Sequence, residues 1–185
     1  MILIVDMNSK KDSLGTYEFV FPVASIVNQF EVYTIRHYSE LDQIDEDKYS
    51  HIILSGNALR NTQVLNQTQN FSWIRNCKKP MLGICAGMQT IGLVFKSSLK
   101  TCLEIGMKQI TTVRENPLFS SSFRAYELHN YSIHPSNEIE VLAESKKCVQ
   151  AIKHKKKDAY GVLFHPEVRN REVIERFTHL RTSQS

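Results

Sequence analysis

Apolar and polar positions alternate in two textures along this chain. In the first half, Ile2–Val5, His51–Leu54 and Pro80–Ile84 are short, nearly unbroken apolar runs. Runs of that length read as strands buried on both faces, the habit of a parallel sheet. Between them, Asn8 to Gly15 is polar and loop-like. Phe19 to Gln29 places Val23, Ile26 and Val27 on one helical face, with Pro22 near the first turn. Glu31–Arg36 alternates β-branched and aromatic residues and reads as a further strand. Thr62 to Asn76 carries Leu65, Trp73 and Ile74 at spacings that predict an amphipathic helix, and Met88 to Phe95 predicts another.

After Lys100 the runs shorten and polar turns separate them. Lys108–Val113, Phe123–Leu128, Ile139–Ala143, Cys148–Lys153 and Ala159–Phe164 predict a meander or mixed-sheet extension. Asn170 predicts the N-cap of a closing helix striped by Val173, Ile174, Phe177 and Leu180, and Thr182–Ser185 a frayed tail. The sum is an α/β fold, an open mixed, mainly parallel sheet flanked by helices. No internal repeat or linker divides the chain, so one domain is expected over residues 1–185.

Composition narrows the function classes. Apolar residues make up 42% and charged residues 23%, ordinary globular usage, and the net charge is only +4. A nucleic-acid partner is therefore not expected, since that needs a concentrated basic face. The run Lys153-His-Lys-Lys-Lys157 reads as a solvated hairpin turn. No apolar run approaches the roughly 18 residues of a membrane span, and the N-terminal run lacks the flanks of a signal peptide. The four cysteines, Cys77, Cys85, Cys102 and Cys148, include no pair at C-x-x-C spacing. Neither a structural zinc nor a disulfide framework is expected, and a reduced cytoplasmic setting is the default. Nothing in the pattern asks for a cofactor.

One segment carries chemistry. In Pro80-Met-Leu-Gly-Ile-Cys85-Ala-Gly-Met-Gln89 a strand enters Gly-x-Cys-x-Gly and leaves as a helix. This is a nucleophile elbow with cysteine in place of serine. Gly83 and Gly87 let the strand and helix cross closely around the exposed thiol. The helix N-terminus beside Cys85 favours its thiolate, and the Ala86 backbone N–H is placed to meet an oxyanion. Gln89, one turn beyond Cys85, faces the same way and can bind a polar substrate.

A thiol nucleophile needs a base and the base an orienting acceptor. His165 follows the apolar run Tyr160–Phe164 and precedes Pro166-Glu167. If its strand neighbours the Cys85 strand, both side chains emerge at one sheet edge, and Glu167 can turn back to hold the imidazole. His37, His51, His134, His154 and His179 have no such support. Ser55-Gly56-Asn57 ends another buried strand and can supply a second oxyanion N–H from Gly56 or Asn57.

Together, Gly83-Ile-Cys85-Ala-Gly87-Met-Gln89 and the later Phe164-His165-Pro166-Glu167-Val168 resemble the class I (triad) glutamine amidotransferases, over most of the chain. The resemblance implies a flavodoxin-like sheet and a reaction in which Cys85 attacks the side-chain amide of glutamine. A γ-glutamyl thioester forms, ammonia leaves, and water releases glutamate. It also implies a separate synthetase subunit that consumes the ammonia. Ile139–His154, followed by Tyr160–Glu167, looks like the glutaminase subunit of archaeal two-subunit GMP synthetases, whose partner is of ATP pyrophosphatase type. Tyr126-Glu-Leu-His129 falls at the family's substrate-loop histidine, and Asn130 and Tyr131 should contact glutamine through their backbones.

The sequence departs from the family pattern at four places. Asn130-Tyr131 stands where GMP synthetases complete His-x-Asp, and Asn57-Ala58 where the oxyanion loop usually reads Gly-Pro. Met7–Ser13 replaces a glycine-rich first loop, and Lys96-Ser97 replaces a glycine pair. Asparagine tolerates positive φ, so Asn57 is expected to keep the turn. Two other readings stay open: a free-standing γ-glutamyl hydrolase, or glutaminase subunit of another amidotransferase, and a regulatory module that keeps the fold without turnover.

Overall fold

The computed structural model describes residues 1–41 and 45–180; the expected tail at Thr182–Ser185 lies outside them. Nine strands form one sheet in the order β2-β1-β3-β4-β9-β8-β7-β5-β6. Its first half is parallel: β2 (Tyr33–His37), β1 (Ile2–Asp6), β3 (His51–Leu54), β4 (Met81–Ile84) and β9 (Ala159–Val162). All residues of β1, β3, β4 and β9 are buried, which is why their sequences lack alternation. Each large aliphatic side chain placed there contributes about 1.5–3 kcal/mol of burial.

The second half is antiparallel. β8 (Val149–His154) pairs with β9 and with β7 (Ile139–Glu144), and the end of β5 (Ser98–Thr112) pairs with β7. Most of β5 forms a long hairpin with β6 (Phe123–His134). Parallel and antiparallel pairings are thus equally represented, so the sheet is mixed, as expected, with the parallel part carrying the site. Two cores lie on its faces. On one, α2 (Ala86–Val94) packs with Phe71, Ile74 and Phe95; on the other, α1 (Phe21–Val27) and α3 (Glu172–Thr178) pack through Val23, Val27, Ile174 and Phe177.

Several elements differ from expectation. Thr62 to Asn76 is not an α-helix but two 3₁₀ helices, Thr62–Asn66 and Thr68–Arg75. Thr, Asn, Gln and Ser side chains dominate this stretch and compete for backbone groups. Gln67 sits at the break, its side-chain oxygen accepting from Tyr38 and Asn70. The first helix begins earlier, as a π-helical turn over Thr16–Val20. Strand β5 starts ten residues before the expected Lys108, and β6 runs on past Leu128. Asn170 makes no capping hydrogen bond from its side chain; it takes a left-handed φ of 78° just before α3, whose N-cap position is Arg171. The Lys153–Lys157 run is a hairpin turn, with His154 Nδ1 accepting from the N–H groups of Lys156 and Lys157. Among the described residues no helix is long and apolar enough to cross a membrane.

Candidate active site

Strands β4 and β9 are neighbours in parallel register, Ile84 beside Val162. The two chemical motifs therefore leave the same sheet edge side by side. Cys85 turns the chain from β4 into α2 at φ 47° and ψ −101°, a conformation strongly disfavoured for a residue with a Cβ. Its N–H still reaches Val162 O at 2.8 Å, and its carbonyl accepts from Gln89 N at 3.0 Å. The flanking glycines make the turn feasible. A Cβ on Gly83 would lie 2.3 Å from the Gly87 carbonyl carbon, and one on Gly87 would lie 2.4 Å from Leu54 O.

His165 is fixed at its backbone by a bond to Tyr126 O of 2.9 Å. Its ring rests on Gly56, where a Cβ would come within 2.8 Å of Cε1, and packs against Phe19 at 5.6 Å. Nδ1 is 2.7 Å from Glu167 Oε1, while Nε2 is buried without a partner. Burial disfavours the imidazolium, but the Glu167 charge and the adjacent Cys85 sulfur outweigh it and hold the His165 pKa above its usual value. The Cys85 thiol lies 3.7 Å from Leu128 O. This arrangement can pass a proton between sulfur and a leaving group while a carboxylate fixes the imidazole.

The surroundings form a small cavity of about 20 Å³, lined by Cys85, Asn57, Leu59, Gln89, Asn130 and Tyr131 among others. Gln89 Nε2 donates to Tyr131 O at 2.6 Å, and Asn130 Nδ2 to Leu59 O at 2.9 Å. The loop after β3 is thus tied to β6 beside the thiol. Ala86 opens α2, where the first N–H groups have no intrahelical acceptor. Gly56 lies under the imidazole and Asn57 in the cavity wall.

Two expectations change here. Asn57 does not have positive φ; it holds its loop by its side chain, Nδ2 donating to Met7 O and Asn61 O at 3.1 and 2.8 Å. Lys96, which stands at the first position of the expected glycine pair, takes a left-handed φ of 64°. His129 also lines the cavity, but its imidazole turns inward, Nδ1 to Cys102 O at 2.9 Å and Nε2 to Glu127 at 3.1 Å. Leu128, Leu59 and Phe19, which contact the site, carry no sequence signal because backbone carbonyls and ring packing mark no residue type.

The other histidines serve the fold or the surface. His37 and His51 bond Asn8 O and Leu180 O at 2.7 and 2.9 Å, and His134 and His179 are exposed. Cys77, Cys102 and Cys148 are free and buried. Burial pushes the Cys77 thiol up to about 11, so it is no nucleophile near neutrality.

The chain has clear relatives among known proteins. A glutamine-hydrolyzing GMP synthase of Borreliella burgdorferi is 34% identical over 184 residues, covering 92% of this chain but only 34% of the relative's length. The chain thus spans about a third of that protein. One subunit of the glutamine-hydrolyzing GMP synthase of Methanococcus aeolicus is 35% identical over 147 residues, 75% of this chain and 76% of that subunit. In fold, the chain is similar to a protein from Thermoplasma acidophilum described as a GMP synthase subunit, with a TM-score of 0.80 at 24% identity, covering 96% of this chain and 91% of that one. The family model described as glutamine amidotransferase class-I matches residues 14–179, and the chain belongs to that family.

Proposed function

We propose that this chain is the glutaminase of a two-component amidotransferase, with Cys85 as nucleophile, His165 as acid and base, and Glu167 as the residue orienting His165. The observation that carries this reading is the strained Cys85 elbow set beside the buried His165–Glu167 pair. The Cys85 thiolate adds to the glutamine amide carbon, and the oxyanion is met by the N–H of Ala86 and by the Gly56-Asn57 loop. His165 gives its proton to the departing ammonia, then takes one from the water that cleaves the thioester. Glutamate and a free Cys85 remain.

Gln89, Asn130 and Tyr131 are the substrate contacts in this reading. Gln89 donates to Tyr131 O and Asn130 to Leu59 O in the cavity, and a carboxamide substrate offers the same donor and acceptor types in exchange. His129 contributes through its backbone, since its ring faces the interior. The cavity has room for about one water molecule, so glutamine requires the 57–62 loop to withdraw.

The acceptor enzyme in this proposal is a separate synthetase subunit of ATP pyrophosphatase type, making GMP from XMP. Similarity to relatives named as single subunits of GMP synthase supports that choice. The test is glutamate and ammonia release from glutamine by the chain alone and with such a synthetase. Glutamine-dependent GMP formation with the pair supports the reading in full. Glutamine hydrolysis without coupling retains the glutaminase and discards the GMP partner, and no hydrolysis in either setting discards both.

A further inference from the structure

A groove of about 810 Å³ opens at the edge of the sheet opposite Cys85, and the chemistry above makes no use of it. Lys78 and Lys79 lead into β4, and Lys155–Lys157 lead into β9. The two strands run parallel with Met81 level with Ala159. Their pairing therefore brings to one edge two basic segments that lie far apart in the sequence. Cys85 and His165 follow the other ends of the same strands, about 13 Å of chain away.

Lys78, Lys79, Lys155 and Lys156 line the groove, with Lys153 and Lys157 at the hairpin. Glu46, Asp47 and Asp158 line it as well, yet they neutralise none of the six. Among the described residues the lysines paired with carboxylates are Lys11, Lys48 and Lys96, all elsewhere. Lys153 Nζ instead donates to the carbonyls of His154 and Lys157 at 3.0 and 3.1 Å, and Lys157 Nζ to that of Cys77 at 3.1 Å. These bonds tie the hairpin to the entry of β4. An ammonium has three N–H donors, so both groups keep donors to spare. Crowded like charges oppose folding, and an anion lying between them removes the repulsion.

The residue types select the anion. Among the described residues lining the groove none is arginine, whose fork suits carboxylates, and protein interfaces are depleted in lysine. Lysine serves phosphate as a point charge. The volume is that of a small-molecule site, about 300–1,000 Å³. Beneath the lysines, Ile74, Met81 and Ala159 are at most 4% exposed, so the groove offers charge and little apolar floor for a ring. We propose that it binds a small polyphosphate-bearing anion, inorganic triphosphate or a nucleoside triphosphate, with Lys78, Lys79, Lys155 and Lys156 on the phosphates. Lys153 and Lys157 fix the turn that presents them. The bound anion joins the entries of β4 and β9, the two strands that carry Cys85 and His165.

The test is calorimetric titration of the full chain in phosphate-free buffer at about 0.15 M salt, and it does not depend on activity. Inorganic triphosphate should bind once per chain with a Kd below about 0.1 mM, and adenosine should not bind. ATP equal to triphosphate would make the phosphates alone the ligand, and ATP at least about tenfold tighter would make it the nucleotide. Lys78→Gln with Lys79→Gln, and Lys155→Gln with Lys156→Gln, should each weaken triphosphate binding at least about tenfold, while Lys10→Gln should not. Both double variants relieve repulsion, so they should unfold in urea no earlier than wild type. Cys85→Ala should bind triphosphate as wild type does, which separates this groove from the catalytic site. The proposal is overturned if triphosphate shows no saturable binding below about 1 mM, if both double variants bind it as wild type does, or if Cys85→Ala loses it. It is equally overturned if a polyglutamate peptide or single-stranded RNA binds where triphosphate does not.

Discussion

Glu167 Oε1 lies 2.7 Å from Nδ1 of His165, with both side chains 1% exposed. The bond commits Nδ1 and leaves Nε2 for the thiol. The two residues should therefore fail differently. His165→Ala removes the imidazole beside Cys85 and should lower glutamine turnover by about 10⁵-fold or more. Glu167→Gln keeps a ring that samples wrong tautomers, and should lose about 10²–10⁴-fold. Steady-state glutamate release, with folding checked by circular dichroism, measures both. Near-normal turnover in folded His165→Ala would require another base.

The same pair sets a pH dependence. Burial opposes the charged ring, but Glu167 and Cys85 prevail and raise the folded pKa of His165 above its usual value near 6.5. The stability this contributes is complete below the unfolded pKa and is lost as pH rises through the folded one. Titration of the His165 ring by NMR should show a midpoint above 6.5 that falls in Glu167→Gln. That variant should also be more destabilised, relative to wild type, at about pH 6 than at about pH 9. Equal destabilisation at both would show that Glu167 acts by packing alone.

The legible parts of this molecule are those where burial and chemistry agree. Ile2–Val5, His51–Leu54 and Met81–Ile84 are apolar because both sheet faces are covered, and Gly83-x-Cys85-x-Gly87 spells its own geometry. The start of β5 was hidden because its pattern is inverted. Leu103 and Ile105 are 54% and 52% exposed, while Cys102 and Glu104 point inward. No hydrophobicity rule assigns such a strand. The 62–76 segment misleads because its buried Val64, Leu65, Phe71 and Ile74 fit a helical stripe while its polar residues favour turns.

Helix α2 is flanked by two positions, Gly83 on the strand before it and Lys96 just past its end, that predict opposite mutational effects. At its start, alanine at Gly83 would meet backbone atoms of Gly87 and Met88 within 2.5 Å, and backbone cannot give way cheaply. Gly83→Ala should cost about 3 kcal/mol or more. At its end, Lys96 N bonds Leu93 O and Ser97 N bonds Gly92 O, closing a turn that usually holds glycine. Lys96→Gly should stabilise by about 0.5–1 kcal/mol, since relief of the left-handed strain exceeds the added chain entropy. The lost pairing with Glu138 is exposed on the lysine side and weighs little. Urea unfolding of both variants decides the signs.

A glutamine analogue bearing an electrophilic side chain should alkylate Cys85, and free glutamine should slow it. Cys85 differs from the other cysteines by position as much as by reactivity: its sulfur faces His165 and the cavity, while Cys77, Cys102 and Cys148 are buried elsewhere. Burial also raises the Cys77 and Cys148 thiols and suppresses their thiolates. Protection by glutamine tests the cavity, because it requires Gln89 and Asn130 to release Tyr131 O and Leu59 O. Asn130→Ala removes one of those ties, so it should speed labelling of the free chain while weakening protection. Mass mapping after brief exposure, with and without the synthetase, gives the answer. Labelling that appears only with the synthetase would place loop opening under partner control. Cys85 labelling indifferent to glutamine would remove the glutaminase reading and leave a reactive thiol with another substrate.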